Sequence, residues 1–348
     1  MKRIIDIPHR VDDYVCMWNG TEDLYIRDTG EKLPPKFLFS LSSFGSFCYM
    51  KTPKAELKRM VAFGDGRTKQ MYEFMAPIVG FKYKVYECKS FEKALAKIKS
   101  EIDSGFPCMI GALDMYYLPQ FEKIYHIEHI PFHYELAVGY DEEEKVLFFN
   151  DCGREGILSI SFDELKLAFD CSYPGLSKPN TVWAIRMNSA KNKYQIAKEA
   201  LCKKKEMFLN PPVGFIGYKG FRKFIKELAK WKEELSKEDY DKILFNIVQF
   251  FGTVPTVPNA LRGIDEPDEI EFCGGFDKIS VVLSGLGKEY NDESMLKAAD
   301  IFLEGAPIIS KIKTIIVDYL AKNCDSTNDL PGLFTQAADI MKSGFEAL

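Results

Sequence analysis

The chain has 348 residues, 46% of them hydrophobic and 28% charged, with a formal net charge of −5 at pH 7. This length suits two domains, and the composition excludes extensive disorder. A small acidic charge spread evenly over both halves excludes a strong whole-domain footprint for nucleic acid or an anionic membrane.

In chain order, residues 16–28 read as a helix ending near Gly30, followed by the Leu33-Pro34-Pro35 break. Phe63–Arg67 (FGDGR) is a turn rather than a phosphate loop, because no GK[ST] follows. Phe91–Ser104 predicts a helix with Phe91, Leu95, Ile98 and Ile102 on one face and Gly105 behind it as a stop. Cys108–Leu113 reads as a strand buried on both faces. His133–Tyr140 and Val146–Asp151 read as strands of a hairpin around the acidic loop 141–145. Ser161–Phe169 predicts a short helix with Ser161 and Glu164 at capping-box spacing, and Thr181–Met187 a last strand.

Beyond about residue 190 the pattern is helical, in Gly220–Leu235, Ser294–Glu304, Ile308–Lys322 and Leu333–Phe345. The expectation is an α+β domain over 1–189 and an all-α helical domain over 190–348, divided near Asn188–Lys193. Gly214–Arg222 interleaves aromatics with Lys219 and Arg222. A loop entering an amphipathic helix explains it, and so does a surface for an acidic carrier protein.

Nine cysteines are scattered without a CxxC pair, and the four histidines are His9, His126, His129 and His133. That set fits neither a disulfide framework nor a zinc ribbon. The opening MKRIIDIPHRVDD lacks the apolar core of a signal peptide, and no run approaches about 18 apolar residues. A reduced, cytoplasmic protein is expected, with most cysteines acting as small buried hydrophobes.

If the 133–140 and 146–151 strands pair, opposing residue numbers sum to about 284–286, which sets Asp151 opposite His133 or Glu135. Residues 133, 135 and 151 then share one face. A carboxylate beside an imidazole stabilises the imidazolium, as a general base in acyl transfer requires. A buried histidine with an incidental acid would show the same pairing. Cys16 starts a helix after the non-helical His9–Tyr14 segment, where peptide dipoles and a nearby imidazolium favour a nucleophilic sulfur. Cys, then His, then Asp is the papain-like chain order, yet with eight other cysteines one at a helix start is unsurprising.

Asp114 follows a strand and precedes Tyr116, Tyr117 and Pro119, so it either holds a cationic acceptor with its aromatic neighbours or caps a loop. His126, His129 and His133 have metal-like spacing, but Pro131 interrupts the run and no HExxH is present. No metal is expected, and His126 and His129 are read as loop residues.

The succession GALDMYYLP (111–119), HIEHIPFHYELAVGYD (126–141) and FFND (148–151) resembles the N-terminal domain of the butirosin biosynthesis protein H family. The opening from His9 through Cys16 to Phe39 is similar too, and the helical half resembles the uncharacterised domain that often accompanies this one. The resemblance implies a papain-like fold, a helix packed on an antiparallel sheet, related to bacteriocin-processing cysteine peptidases. It also implies antibiotic-type biosynthesis, with an aminoacyl group passing from the phosphopantetheine thioester of an acyl carrier protein to an amine on an aminoglycoside. Cys16 would attack the thioester, His133 would shuttle the proton and Asp151 would orient His133. No cofactor is implied on this chain, phosphopantetheine belonging to the donor. The implied partners are an acyl carrier protein and an amine-bearing small molecule, with self-association left open. A papain-type oxyanion hole needs a side-chain donor just before the nucleophile. No Gln stands there, and His9 and Arg10 are the nearest basic donors. A thioester or amide hydrolase and a non-catalytic papain-like binding module for a peptide, carrier protein or small molecule therefore stay open.

Overall fold

The structure, a computed structural model, describes residues 2–13, 15–172, 178–249, 251, 257–267 and 274–348. Tyr14, in the segment before Cys16, and Cys273 lie outside the described residues. The strands are β1 (Lys2–Ile4), β2 (Cys48–Lys51), β3 (Arg59–Ala62), β4 (Phe81–Glu87), β5 (Cys108–Leu113), β6 (His133–Asp141), β7 (Val146–Asn150), β8 (Leu158–Ser161) and β9 (Thr181–Met187). The first five helices are α1 (Cys16–Thr29), α2 (Phe37–Ser43), α3 (Thr68–Val79), α4 (Phe91–Asp103) and α5 (Phe162–Phe169). They are followed by α6 (Lys193–Leu209), α7 (Gly217–Leu228), α8 (Trp231–Glu234) and α9 (Lys237–Gln249). The last four are α10 (Phe276–Tyr290), α11 (Glu293–Leu303), α12 (Gly305–Leu320) and α13 (Leu330–Ala347). The protein is therefore α+β, with an antiparallel sheet and a helical C-terminal region.

The chain forms two compact units, Met1–Leu38 with Arg67–Lys193 and Phe39–Gly66 with Tyr194–Leu348. In the first unit an antiparallel sheet runs in the order β4-β9-β5-β6-β7-β8, and β1 pairs with the far end of β6. The pairs Cys108↔Ala137 and Ile110↔Val182 belong to a core shared with Phe91, Ala94, Ile98 and Ile102 of α4 and Leu165, Ala168 and Phe169 of α5. On the opposite face Met109 pairs with Leu136 and Trp183, and Gly20 of α1 sits against Met109 and Leu136. Tyr72 of α3 packs on Trp18 with ring centres 4.6 Å apart and on Trp183 at 5.5 Å. The expected Ser161 cap is present: its hydroxyl accepts from the Glu164 N–H and donates to the Glu164 carboxylate.

Helix α1 is buried through Cys16 and Trp18–Tyr25, although it carries Asn19, Glu22 and Asp23. A strap from His9 to Asp12 makes this tolerable. Glu22 pairs with Arg10 and accepts the Leu38 N–H at 2.8 Å. Asp23 takes His9 Nδ1 at 2.7 Å and the Arg10 N–H at 3.2 Å, and Asn19 donates to the Arg10 carbonyl at 2.6 Å. Buried polar groups paired in this way keep their desolvation cost from unfolding the helix.

The second unit combines the β2–β3 hairpin with α6–α13. Residues 39–66, inside the stretch read from sequence as the first domain, pack with the later helices through aromatic contacts. Phe47 stacks on Phe221 at 4.1 Å, Phe63 on Phe334 at 5.5 Å, and Phe44 meets Phe302 edge-on at 4.9 Å. The helix read over 220–235 is divided after Leu228, where the Lys230 N–H bonds the Glu227 carbonyl, and α8 then begins at Trp231. Among the described residues no helix is long and apolar enough to cross a membrane.

The close approach of α1 to the sheet requires glycine at position 20. A Cβ there would lie 2.8 Å from Leu136 Cβ and also collide with the Met109 sulfur. Gly20→Ala should cost about 1–3 kcal/mol in spite of its better helix propensity. Urea unfolding followed by circular dichroism measures this, and an unchanged midpoint would contradict the packing described.

Candidate active site

Cys16 is the first residue of α1, after Val15 leaves helical geometry with φ −122° and ψ 37°. Its Sγ donates to the Phe132 carbonyl at 3.8 Å, and the side chain is 8% exposed. The next residue after Phe132, His133, opens β6, paired with Leu113 of β5. Asp151 directly follows β7. Along that hairpin Leu136↔Asn150 and Ala137↔Phe149 hold the expected sum, and a bulge between Ala137 and Gly139 shifts the pairs nearer the loop by one residue. The bulge lies between the loop and the site, so the pairing at the site end is the one that delivers Asp151 to His133.

His133 Nε2 lies 3.1 Å from Asp151 Oδ1, leaving Nδ1 as the ring nitrogen available to the thiol. The ring rests edge-on against Phe121 at 4.8 Å. Burial acts to lower the imidazole pKa, but the Asp151 charge and hydrogen bond, with further interactions from Cys16, raise it well above its usual value. Burial pushes the Asp151 carboxyl up. The His133 charge and hydrogen bond outweigh this with help from the Gly153 N–H and the Cys152 side chain, holding it at about 2. Each partner thus favours the charged form of the other, an imidazolium beside a carboxylate.

Glu135 is a third buried member, on the face that strand alternation assigns it and without a role assigned from sequence. Its Oε1 accepts from Gln120 Nε2 at 2.6 Å and lies 3.9 Å from His133 Nε2. Its Oε2 and Asp151 Oδ2 are buried without a hydrogen-bond partner. Burial is the largest influence and raises the Glu135 pKa to about 8. One ligand atom from each of His133, Glu135 and Asp151 lies within 4.8 Å of the others, so among the described residues these could hold a metal ion.

The remaining predicted residues are engaged with other partners. Both oxygens of Asp114 are engaged: Oδ1 accepts the Tyr116 and Ile130 N–H groups at 3.1 and 3.0 Å, and Oδ2 contacts His129 Nδ1 at 2.6 Å. Asp114 thus caps the 3-10 turn Met115–Tyr117. Tyr116 stacks on His129 at 4.1 Å and Tyr117 meets His126 edge-on at 6.3 Å, which places both tyrosines in an aromatic loop with those histidines. His9 bonds Asp23 and the Arg154 carbonyl, and Arg10 bonds the Leu33 and Pro34 carbonyls and Glu22. Both side chains are thus engaged with the acids of α1 and with main-chain carbonyls. Of the described cysteines, Cys16, Cys108, Cys152 and Cys171 are buried, whereas Cys48, Cys88 and Cys324 are half-buried and Cys202 is exposed. The expectation of mostly buried cysteines therefore holds for half of them.

The raised Glu135 pKa has a definite sign in stability. Between about 4.5 and 8 the folded state keeps a proton that the unfolded state has lost, so folding weakens as pH rises. Glu135→Gln removes this proton and should flatten the decline in unfolding free energy between pH 5 and 7.5, by up to about 1.4 kcal/mol per pH unit. Urea titrations across that range measure it, and parallel curves for variant and wild type would contradict the assignment.

Residues 15–152 match the family model described as Butirosin biosynthesis protein H, N-terminal. Residues 163–255 match a domain of unknown function (DUF4872). The first match spans Cys16, His133 and Asp151. No curated protein matches the chain. The two matches together give the architecture of a butirosin biosynthesis protein H-like N-terminal domain followed by this second domain of unknown function.

Proposed function

We propose that the first unit is a papain-like cysteine acyltransferase working through a Cys16 acyl-enzyme, with His133 as proton carrier and Asp151 as its orienting partner. The observation that carries this reading is the His133–Asp151 pair, buried at 3.1 Å with its second ring nitrogen left for a thiol at a helix start. The family match supports a biosynthetic role. A cysteine-led helix packed on an antiparallel sheet, with His on one strand and Asp after the next, supports the papain-like assignment.

In this mechanism the imidazolium provides the counter-charge a nucleophilic sulfur needs. The sulfur attacks the carbonyl carbon of a thioester, and its oxygen becomes an oxyanion. Main-chain N–H groups at the start of α1, which have no carbonyl one turn back within the helix, face the growing charge with the positive end of the peptide dipoles. The donor's carbon–sulfur bond breaks, and His133 protonates the departing thiolate. An amine then attacks the acyl-enzyme while His133 takes its proton. Collapse yields an amide and restores Cys16. Carrier-borne phosphopantetheine is the proposed donor, an amine-bearing small molecule the acceptor, and the cytoplasm the setting.

Two alternatives predict different outcomes. A hydrolase would release free acid without an amine. A non-catalytic binding module is favoured by the commitment of the His9 ring and the Arg10 Nη groups to other partners.

Incubation with an aminoacyl-pantetheine thioester should give an intact-mass adduct on Cys16 and, with an amine, an amide product. Cys16→Ala should abolish the adduct and lower turnover by about a thousandfold or more. Full turnover by Cys16→Ala would overturn the proposal, and absence of any adduct on the wild type would favour the binding module.

A further inference from the structure

In the buried cluster of His133, Glu135 and Asp151, Glu135 is the member for which acyl transfer has no use. Glu135 is 1% exposed and Asp151 0%. In each carboxyl group one oxygen is held and the other is not. Gln120 Nε2 donates to Glu135 Oε1 at 2.6 Å, and the Gly153 N–H donates to Asp151 Oδ1 at 3.4 Å. Glu135 Oε2 and Asp151 Oδ2 have no hydrogen-bond partner. A buried carboxyl oxygen without a donor is costly, and here two occur in one cluster. A cation between them would satisfy both.

The donor set has the dimensions of a small metal ion. Nitrogen and oxygen ligands at about 2.0–2.1 Å from a tetrahedral ion stand about 3.3 Å from one another. His133 Nε2 lies 3.1 Å from Asp151 Oδ1 and 3.9 Å from Glu135 Oε1. One ligand atom from each residue falls within 4.8 Å of the other two. Gln120 and the Gly153 N–H supply outer hydrogen bonds of the kind that orient ligating carboxylates. One imidazole with two carboxylates selects a zinc-class cation. Calcium takes about six to eight oxygens, and magnesium keeps an octahedral shell rich in water.

We propose that His133, Glu135 and Asp151 bind a divalent cation of the zinc class, and that its binding switches Cys16 off. The ion takes His133 through Nε2, in place of the hydrogen bond to Asp151. A neutral imidazole bound there carries its one proton on Nδ1, the nitrogen otherwise left for the thiol. It can accept no second proton, and giving up the one it has would leave an imidazolate. His133 then neither takes the amine's proton nor protonates the departing thiolate. Proton transfer and metal ligation compete for one ring. The site itself stands on geometry, and only its consequence for Cys16 rests on the acyl-transfer reading.

The test uses the full chain, stripped with a chelator, and Zn2+ alone as the probe. X-ray absorption at the zinc edge, at one equivalent, should show nitrogen and oxygen ligands at about 2.0 Å and no sulfur. Competition with a chromogenic chelator should give an affinity that Glu135→Gln weakens by about tenfold or more. Cys16→Ser should bind Zn2+ as wild type does. Zn2+ should inhibit wild-type turnover of an aminoacyl-pantetheine thioester, with an inhibition constant that Glu135→Gln raises by the same factor. Circular dichroism checks that this variant folds; if it does not, the wild-type absorption spectrum still decides. A sulfur shell at about 2.3 Å would give the ion to cysteines and overturn the proposal. Turnover indifferent to saturating Zn2+ would overturn it too. Zinc held by nitrogen and oxygen, sensitive to Glu135→Gln, in a chain without thioester turnover would retain the site and defeat the acyl-transfer reading instead.

Discussion

An imidazolium and a carboxylate withdrawn from water stay charged only if each offsets the other's lost hydration. The contact between His133 and Asp151 meets that condition at 3.1 Å, and the site is organised around it. Asp151 gains further support from the Gly153 N–H and the Cys152 side chain. His133 is fixed by Phe121 on one side and by the end of β5 through its pairing with Leu113. Removing either charge would strand the other in an interior where even Glu135 holds its proton to about pH 8.

The same economy of buried charge shapes α1. A helix that leads with a candidate nucleophile has to reach the sheet, and Gly20 permits that close approach. Its acidic residues are then neutralised by a strap that lies immediately before Cys16 in sequence. Arg10 and His9, the donors that proximity would nominate for catalysis, are held by Glu22 and Asp23.

The parts of the fold legible in the sequence were those governed by local pattern. Alternation and the acidic loop located β6 and β7, amphipathic spacing located α4, and the Ser161–Glu164 capping box marked α5. Pairing arithmetic brought 133, 135 and 151 to one face because the Ala137–Gly139 bulge falls outside the site. What escaped depended on distant partners. Residues 39–66 carry no local mark of their packing with helices more than 150 residues later, since Phe47 finds Phe221 only in the folded chain. Asp114 read as a candidate ligand because nothing in the sequence reveals that Tyr116, Ile130 and His129 already occupy its oxygens. Glu135 lay in the arithmetic, but its unpartnered oxygen and suppressed ionisation are products of burial.

The central claim is that Cys16 is chemically distinct because His133 stands beside it as an imidazolium. Iodoacetamide labelling at pH 6–7, read by peptide mass spectrometry, tests this directly, since accessibility and chemistry point to different cysteines. Access alone favours the exposed Cys202 over the buried Cys16. The account predicts that Cys16 labels first and that His133→Ala slows it by about tenfold or more. Labelling led by Cys202, with a Cys16 rate indifferent to His133, would contradict it.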